Sequence, residues 1–577
     1  MTPLDGRGLT RWTGRTPPGG VATVADALEA GLAAAPARDA LVGRFTRYTY
    51  AELDREANRA AHAMMRLGIG PGDRVAASLP NHPDIVVAFL GAMRLGAVWV
   101  GVNPVLAPKE KAYLLADAGA SVLLAEARTA DELAPLREGL PALAEVVEVA
   151  PQGECMWGDL LASGGTARPT VAIEPSAPAA IGYTSGTTGW PKGAVHSQHN
   201  LLVVGAANRV WGGWRAVPRQ AALLPLSTLN VIVIGPLLVF QLAGTCICVD
   251  RTDPLVIADW VEREQVQSFS SVPTVIHDLV TTPGVHTEQL RSLTHVGTGG
   301  ATVPAPIAER FRARFGAEML VGYGLTEAPS VVSCQVAGEP HPQGDCGRAL
   351  PHVIITIRDE GGRVLGPGEP GEVCVAGAPG GTLGRVYTPF LGYWGRPDAT
   401  EAALRGGVLH TGDVGSLDPS GTLFIQGRHN DVVIRGGSNV YAAEVERVLQ
   451  SEPRVARAAV VGAPDERLGE RVVAFVQLAP GAEATAEELQ RHCRGELARY
   501  KVPDEVRVVD VLEVSTTGKV VKAPLREPSG GEPWSPRGRT PAARARRARV
   551  PRNQYRAMSW KCTAASCSHG DSCPFSL

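Results

Sequence analysis

Apolar and polar positions along the first 350 residues follow two periods. Over 50–67, Leu53, Ala57, Ala60, Ala61 and Met64 fall on one face at helical spacing, and 21–35 reads as a second amphipathic helix. Short apolar runs at Arg74–Leu79, Ala97–Val102 and Ser121–Ala125 read as strands. Helices lie between them, at Asp84–Arg94 and over the turns ending with Tyr113–Ala118. Strand-type runs resume at 181–184, 221–226, 245–249, 268–272 and 293–297. This alternation predicts a doubly wound α/β layer.

The texture changes twice further on. HVIITIR (352–358) and EVCVAG (372–377), with the turn GPGEPGE at 366–372, predict antiparallel strands. Beyond 430, helices at 442–450 and 485–499 and strands at 455–461 and 471–478 predict a compact α+β module. From Pro528 the chain is Pro/Gly/Ser-rich, then Arg-rich, with no apolar period, and is expected to be disordered. Residues 220–249 carry no charge, but Pro225, Gly235, Pro236 and Gly244 interrupt them. They predict a buried strand, a loop and a core helix, so no transmembrane segment is expected.

Charge sharpens this division. The chain as a whole is formally −2, yet 528–577 hold nine basic and two acidic residues, so the body is acidic. No nucleic-acid partner is expected for such a body. Ten Cys in 577 residues, seven of them between Cys155 and Cys493 without metal-like spacing, predict reduced thiols. With no apolar signal segment at the N-terminus, a cytoplasmic location is expected. In the tail, Cys562, Cys567, His569 and Cys573 match no common zinc spacing.

The densest chemistry is YTSGTTGWPKG at 183–193. Gly186, Gly189 and Gly193 let backbone N–H groups approach an anion. Thr184, Ser185, Thr187 and Thr188 add hydroxyl donors, and Lys192 adds a point charge. The combination predicts a polyphosphate cradle. It is not the G-x-x-x-x-G-K-[ST] loop, because Lys192 lies between Pro191 and Gly193.

This loop, with YGLTE (323–327), TGD (411–413), GRHNDVVIRGGSNVYAAEVE (427–446) and STTGKVVKAPLRE (515–527), resembles the acyl-adenylate-forming superfamily, over about residues 20–527. The resemblance implies an α/β enzyme with a large N-terminal domain of doubly wound sheets and a small β-barrel-like subdomain (1–429). A small mobile α+β domain (430–527), hinged at Asn430, would follow it. It implies that Tyr323 stacks on adenine, that Gly299, Gly300 and Ala301 wall the nucleotide beside Gly324, and that Thr326 touches phosphate. Glu327, with Thr187, would hold Mg²⁺, Asp413 would bind the ribose hydroxyls, and Arg428 would approach ribose and phosphate. Lys519 would bridge the two anions as a carboxylate attacks the α-phosphorus. Gly436 and Gly437 would let the pantetheine arm of CoA pass.

The reaction so implied is acid + ATP → acyl-AMP + PPi, then acyl-AMP + CoA → acyl-CoA + AMP. A stand-alone enzyme loading a carrier protein is the alternative, and oligomeric state is left open. The sequence departs from the family at Pro225-Leu226-Ser227-Thr228, where relatives often carry an aromatic–His pair, at the bulky Trp190, and at Asn430. No acidic residue lies in 225–234, so an amino-acid ammonium group would be unpaired. Leu229, Val231, Val272, Gly299 and Gly300 would give an apolar pocket with a deep floor. A medium- or long-chain fatty acid is the first expectation, an aryl or alicyclic acid the second.

Overall fold

The computed structural model describes residues 2–3, 8–185, 190–211, 218–299, 305–342, 344–428, 432–513, 520 and 522–526. The side chains at 2–3, 185, 305–306, 426–428, 443 and 523 lie outside this description. The predicted helix over 50–67 forms as Tyr50–Arg66. Thr49 caps it, its hydroxyl accepting from the Glu52 backbone N–H while the Glu52 carboxylate accepts from the Thr49 N–H. Such a capping box is worth about 1 kcal/mol. Its apolar face packs on helix Pro83–Arg94, which is buried at every residue but Asp84, so that its sequence shows no polar face. Over 21–35 only a short 3₁₀ turn (Val24–Asp26) and helix Glu29–Ala34 form. Pro36 ends the pattern, and Gly31 lies against the Tyr50 ring.

Two sheets sandwich these helices. The seven-stranded sheet runs Gly392–Tyr393, Pro191–Ser197, Pro178–Ser185, Val98–Gly101, Arg74–Ser78, Val122–Ala125, Glu145–Glu148, parallel from Pro178–Ser185 onward. The second sheet has a parallel centre ordered Glu318–Tyr323, His295–Thr298, Ser268–Ser271, Arg219–Ala222, Thr245–Cys248, Asp39–Val42. Beyond Glu318–Tyr323 it continues through antiparallel strands that include Val353–Arg358, Gly371–Gly377, Val408–Leu417 and Thr422–Arg428. One core joins both sheets: Leu41 and Cys246 come from one, Val75 and Trp99 from the other, with Leu53 and Met64 between them. Each such fully buried large side chain contributes roughly 1.5–3 kcal/mol.

The uncharged stretch folds as strand Arg219–Ala222, a loop, and a helical run from Leu229 to Gln241 that breaks at Gly235-Pro236. Among the described residues, no helix is long and apolar enough to cross a membrane. The C-terminal module has its own sheet and core. Strands Ser438–Tyr441, Val432–Arg435, Gly469–Leu478 and Val455–Asp465 pair antiparallel, and Glu505–Val508 adds in parallel. Helices Ala442–Gln450 and Ala486–Glu496 pack on them. Asn430 and the tail from 527 lie outside the described residues.

Candidate active site

The described ends of the glycine- and hydroxyl-rich segment lie on the two antiparallel strands of a β-hairpin. Pro191 pairs with Ser185, Lys192 with Thr184 and Gly193 with Tyr183. The pairing fixes where Thr184 and Lys192 emerge, while Gly186, Thr187, Thr188 and Gly189 lie outside the described residues. Tyr183 anchors the hairpin by donating to Asp117 Oδ2 (2.9 Å), and Arg396 donates to the other oxygen (2.6 Å).

A cavity of about 1740 Å³ opens beside the hairpin at the carboxyl ends of the parallel strands, where open α/β sheets generally bind ligands. It brings together Thr184, Lys192, Gly299, Tyr323, Gly324, Thr326, Glu327 and Asp413, which the sequence scatters over 230 positions. Gly436 and Gly437 reach it from the C-terminal module. Of the other sequence-selected residues, Gly300, Ala301 and Lys519 lie outside the described residues. For Ser185 and Arg428 only the strand backbone is described.

The chemistry concentrates at Glu327. Its Oε1 accepts from the Tyr393 hydroxyl (2.7 Å) and from Thr184 (3.3 Å). Burial, then the nearby Glu327 carboxylate, pushes the Tyr393 phenol far up, so it stays a donor. Lys192 Nζ stands 5.2 Å from the centre of the Tyr393 ring. Burial lowers its pKa, Glu327 opposes that shift, and Arg396 adds to it. Tyr323 donates to Asp413 Oδ2 (2.7 Å), fixing a carboxylate that is almost wholly buried. At Gly324 a Cβ would fall 1.4 Å from the Ser330 carbonyl oxygen, so no larger residue fits that turn.

Sequence reasoning missed two supports. Tyr393 carries no motif. His196, on the hairpin's second strand, is fully buried, with Nε2 2.6 Å from the Thr326 carbonyl oxygen and Nδ1 3.1 Å from the Asn200 amide nitrogen. Burial lowers its pKa to about 4. It is therefore a neutral imidazole donating from Nε2, and it ties the hairpin to the 323–327 turn.

The C-terminal module closes one side. Thr274 Oγ1 donates to the Gly436 carbonyl (3.1 Å). A Cβ on Gly437, where φ is +80°, would lie 2.3 Å from Val272 Cβ, so only glycine lets the module sit this close. Lys501 is buried between Glu110 of the large domain (2.6 Å) and Glu444 (2.9 Å). Trp190 stacks on Tyr113, ring centres 4.5 Å apart, and the Arg447 guanidinium lies 3.8 Å from its ring centre. The bulky loop residue is thus a contact between the two parts.

Away from the hairpin, the cavity runs down one face of the parallel sheet beneath the kinked helix. Val231, Val272 and Gly299 line it as expected, whereas Leu229 lines a smaller neighbouring cavity with Gly182 and Thr326. Its far floor differs from the apolar one predicted. Strand register sets Gln220, Ser268, His295 and Glu318 side by side there, because the strands start with polar residues.

A family model described as AMP-binding enzyme matches residues 28–393, and one described as AMP-binding enzyme C-terminal domain matches 444–519. A feruloyl-CoA synthase of an Amycolatopsis species is 35% identical over 84% of this chain and 94% of that protein. The long-chain-fatty-acid–CoA ligase FadD13 of Mycobacterium tuberculosis is 32% identical over 83% of this chain and 93% of its own. Among solved structures, the amide bond synthetase McbA from Marinactinospora thermotolerans superposes with a TM-score of 0.77 at 30% identity, covering 87% of this chain and 99% of that one.

Proposed function

The chain belongs to the AMP-binding enzyme family, which includes AMP-forming acid–CoA ligases, and on that premise we propose that it joins a neutral carboxylic acid to CoA at the expense of ATP. The observation that carries this reading is the single cavity in which Thr184, Lys192, Tyr323, Thr326, Glu327 and Asp413 converge under Gly436 and Gly437.

In the first half-reaction a carboxylate oxygen attacks the α-phosphorus of ATP. A new O–P bond forms, and pyrophosphate leaves with the electrons of the broken P–O bond. Both reactants are anionic, so the site must supply positive charge and hydrogen-bond donors. Thr184 and Lys192 emerge where the triphosphate would lie. Tyr323 offers a flat face to adenine, and Asp413, which the Tyr323 hydroxyl fixes, accepts from the ribose hydroxyls. His196 and Tyr393 orient the Thr326–Glu327 backbone and carboxylate. A carboxylate with one oxygen held by two hydroxyl donors suits a hard cation. Mg²⁺ held by Glu327 with phosphate oxygens would supply charge against the triphosphate. Lys519 would bring the remaining charge from the C-terminal module, with Arg428 beside the ribose.

In the second half-reaction the thiol sulfur bonds to the acyl carbon, and AMP departs with the electrons of the acyl–oxygen bond. Gly436 and Gly437 bring bare backbone to the cavity's edge, which would let a pantetheine arm approach closely. A carrier-protein phosphopantetheine is the competing acceptor. For the acid, Val231 and Val272 favour a neutral body, either a medium-length chain or a ring acid. The test is pyrophosphate release over a panel of acids with and without CoA. Acid-dependent release, followed by AMP release only with CoA, is expected. Turnover with a loaded carrier protein but not with CoA would redirect the reading.

A further inference from the structure

The cavity's far floor holds polar atoms that nothing among the described residues satisfies. Gln220 and Ser268 are neighbours across paired strands, and both are at least 97% buried (3% and 1% exposed). The Gln220 amide nitrogen donates to the Ile234 carbonyl (2.7 Å) at the kink of the covering helix, where Gly235 and Pro236 break the helical ladder. A carbonyl oxygen can only accept, so this bond fixes the amide orientation and leaves Oε1 as an acceptor without a partner among the described residues. Ser268 Oγ, able both to donate and to accept, has none either. Both residues line the cavity with these oxygens sealed just beneath its surface, so a ligand reaches them once the floor gives by a small side-chain movement. Buried polar groups are rarely left unmet, and each unmet one costs stability that a ligand can return.

We propose that this pair forms a specificity subsite for a hydroxyl group at the distal end of the acid. The ligand O–H would donate to Gln220 Oε1, and its oxygen would accept from Ser268 Oγ. Register also gives the span. On the same sheet face, Val272 lies four residues beyond Ser268 and Gly299 four beyond His295, at the reacting end. At about 3.3 Å per residue the subsite is about 13 Å from that end. An extended acid reaches it with about ten bonds between carboxyl carbon and hydroxyl oxygen, at roughly 1.2 Å per bond. The row between them is small: Ser270 and Gly297 pair across adjacent strands, leaving width for a ring as well as a chain. The substrate class is thus a distally hydroxylated acid rather than a plain hydrocarbon one.

This inference rests on the acid–CoA ligase reading, and one experiment separates the two. Pyrophosphate release is measured on the full-length protein with 10-hydroxydecanoic and decanoic acids, and the pair is repeated on Gln220→Leu and Ser268→Ala. A preference for the hydroxy acid of about ten- to hundred-fold in kcat/KM is expected. In either variant the ratio of the two acids should fall toward one, while the KM for ATP holds. The wild-type ratio needs no variant, so misfolding of Gln220→Leu cannot mask the answer. Equal or better use of decanoate by the wild type, with water meeting the two side chains, overturns the subsite and leaves the ligase reading standing. A wild-type preference that survives both substitutions also overturns it. If no acid of any kind elicits pyrophosphate release, the ligase reading falls, and the subsite with it.

Discussion

The two ends of the cavity differ in how far their polar groups meet one another, although Asn230 Oδ1 and Thr298 Oγ1 toward the hairpin end are also without partners among the described residues. At the hairpin end the polar groups hold one another: Tyr323 on Asp413, Tyr393 and Thr184 on Glu327, His196 on the Thr326 carbonyl. At the sheet's far floor, Gln220 and Ser268 keep hydrogen-bonding capacity unspent. A preorganised end suits chemistry common to every substrate, because dipoles fixed in advance need no rearrangement in the transition state. An end with unmet groups suits discrimination, because only a ligand that completes them escapes the cost of leaving them dry.

If that division holds, changes at the hairpin end should weaken every acid alike. The largest effect is expected for Lys519→Ala. Adenylate formation should fall about 10²- to 10³-fold with all acids, whereas thioester formation from supplied acyl-AMP persists. Single-turnover assays of each half-reaction check this, and equal loss in both would remove Lys519 from the first step. Next is Asp413→Ala, which deletes the carboxylate fixed by Tyr323. The KM for ATP should rise about 10- to 100-fold, with the ranking of acids unchanged.

Gly297→Val tests the other end. It places a branched side chain against Ser270 midway down the channel, where even a Cβ comes within 3.1 Å of Ser270 Oγ. Short acids should be retained and ten-carbon acids lost, with little change in the KM for ATP. The smallest kinetic effect belongs to Trp190→Ala. It forfeits the Arg447 and Tyr113 stacking, worth about 1 kcal/mol, and should shift turnover by less than about tenfold.

A pH titration separates folding from chemistry. His196 and His352 are buried, and burial lowers their pKa values to about 4 and about 3. Between those values and 6.5 the unfolded chain binds more protons than the folded one. Their stability contribution is therefore present above about pH 6.5 and is lost as pH falls toward 4. The melting temperature should drop across that window, and less so in His352→Phe.

Much of the hairpin end was legible in the sequence because its residues come in contiguous words. YTSGTTGWPKG, YGLTE and TGD each carry several side chains of one site. The helices at 50–67 and 442–450 were equally plain, since a period of 3.6 over two or more turns is hard to produce otherwise. The far floor was illegible for the converse reason. Gln220, Ser268, His295 and Glu318 each sit at or next to the start of a different strand, and only parallel register brings them abreast. His196 and Tyr393 were missed because a lone His or Tyr in a strand gives no local sign of what it supports. The short helical turns within 21–35 show tertiary packing against Tyr50 overriding a local pattern.

The central claim is that an acyl-adenylate forms in this cavity with Glu327 at its centre. The direct measurement is to incubate the protein with α-labelled ATP, Mg²⁺ and 10-hydroxydecanoic acid without CoA, and to quantify labelled acyl-adenylate on wild type and Glu327→Gln. The account predicts near-stoichiometric adenylate on the wild type and about a hundredfold slower formation on the variant. No adenylate with this or any other acid, or equal formation by the two proteins, would contradict it.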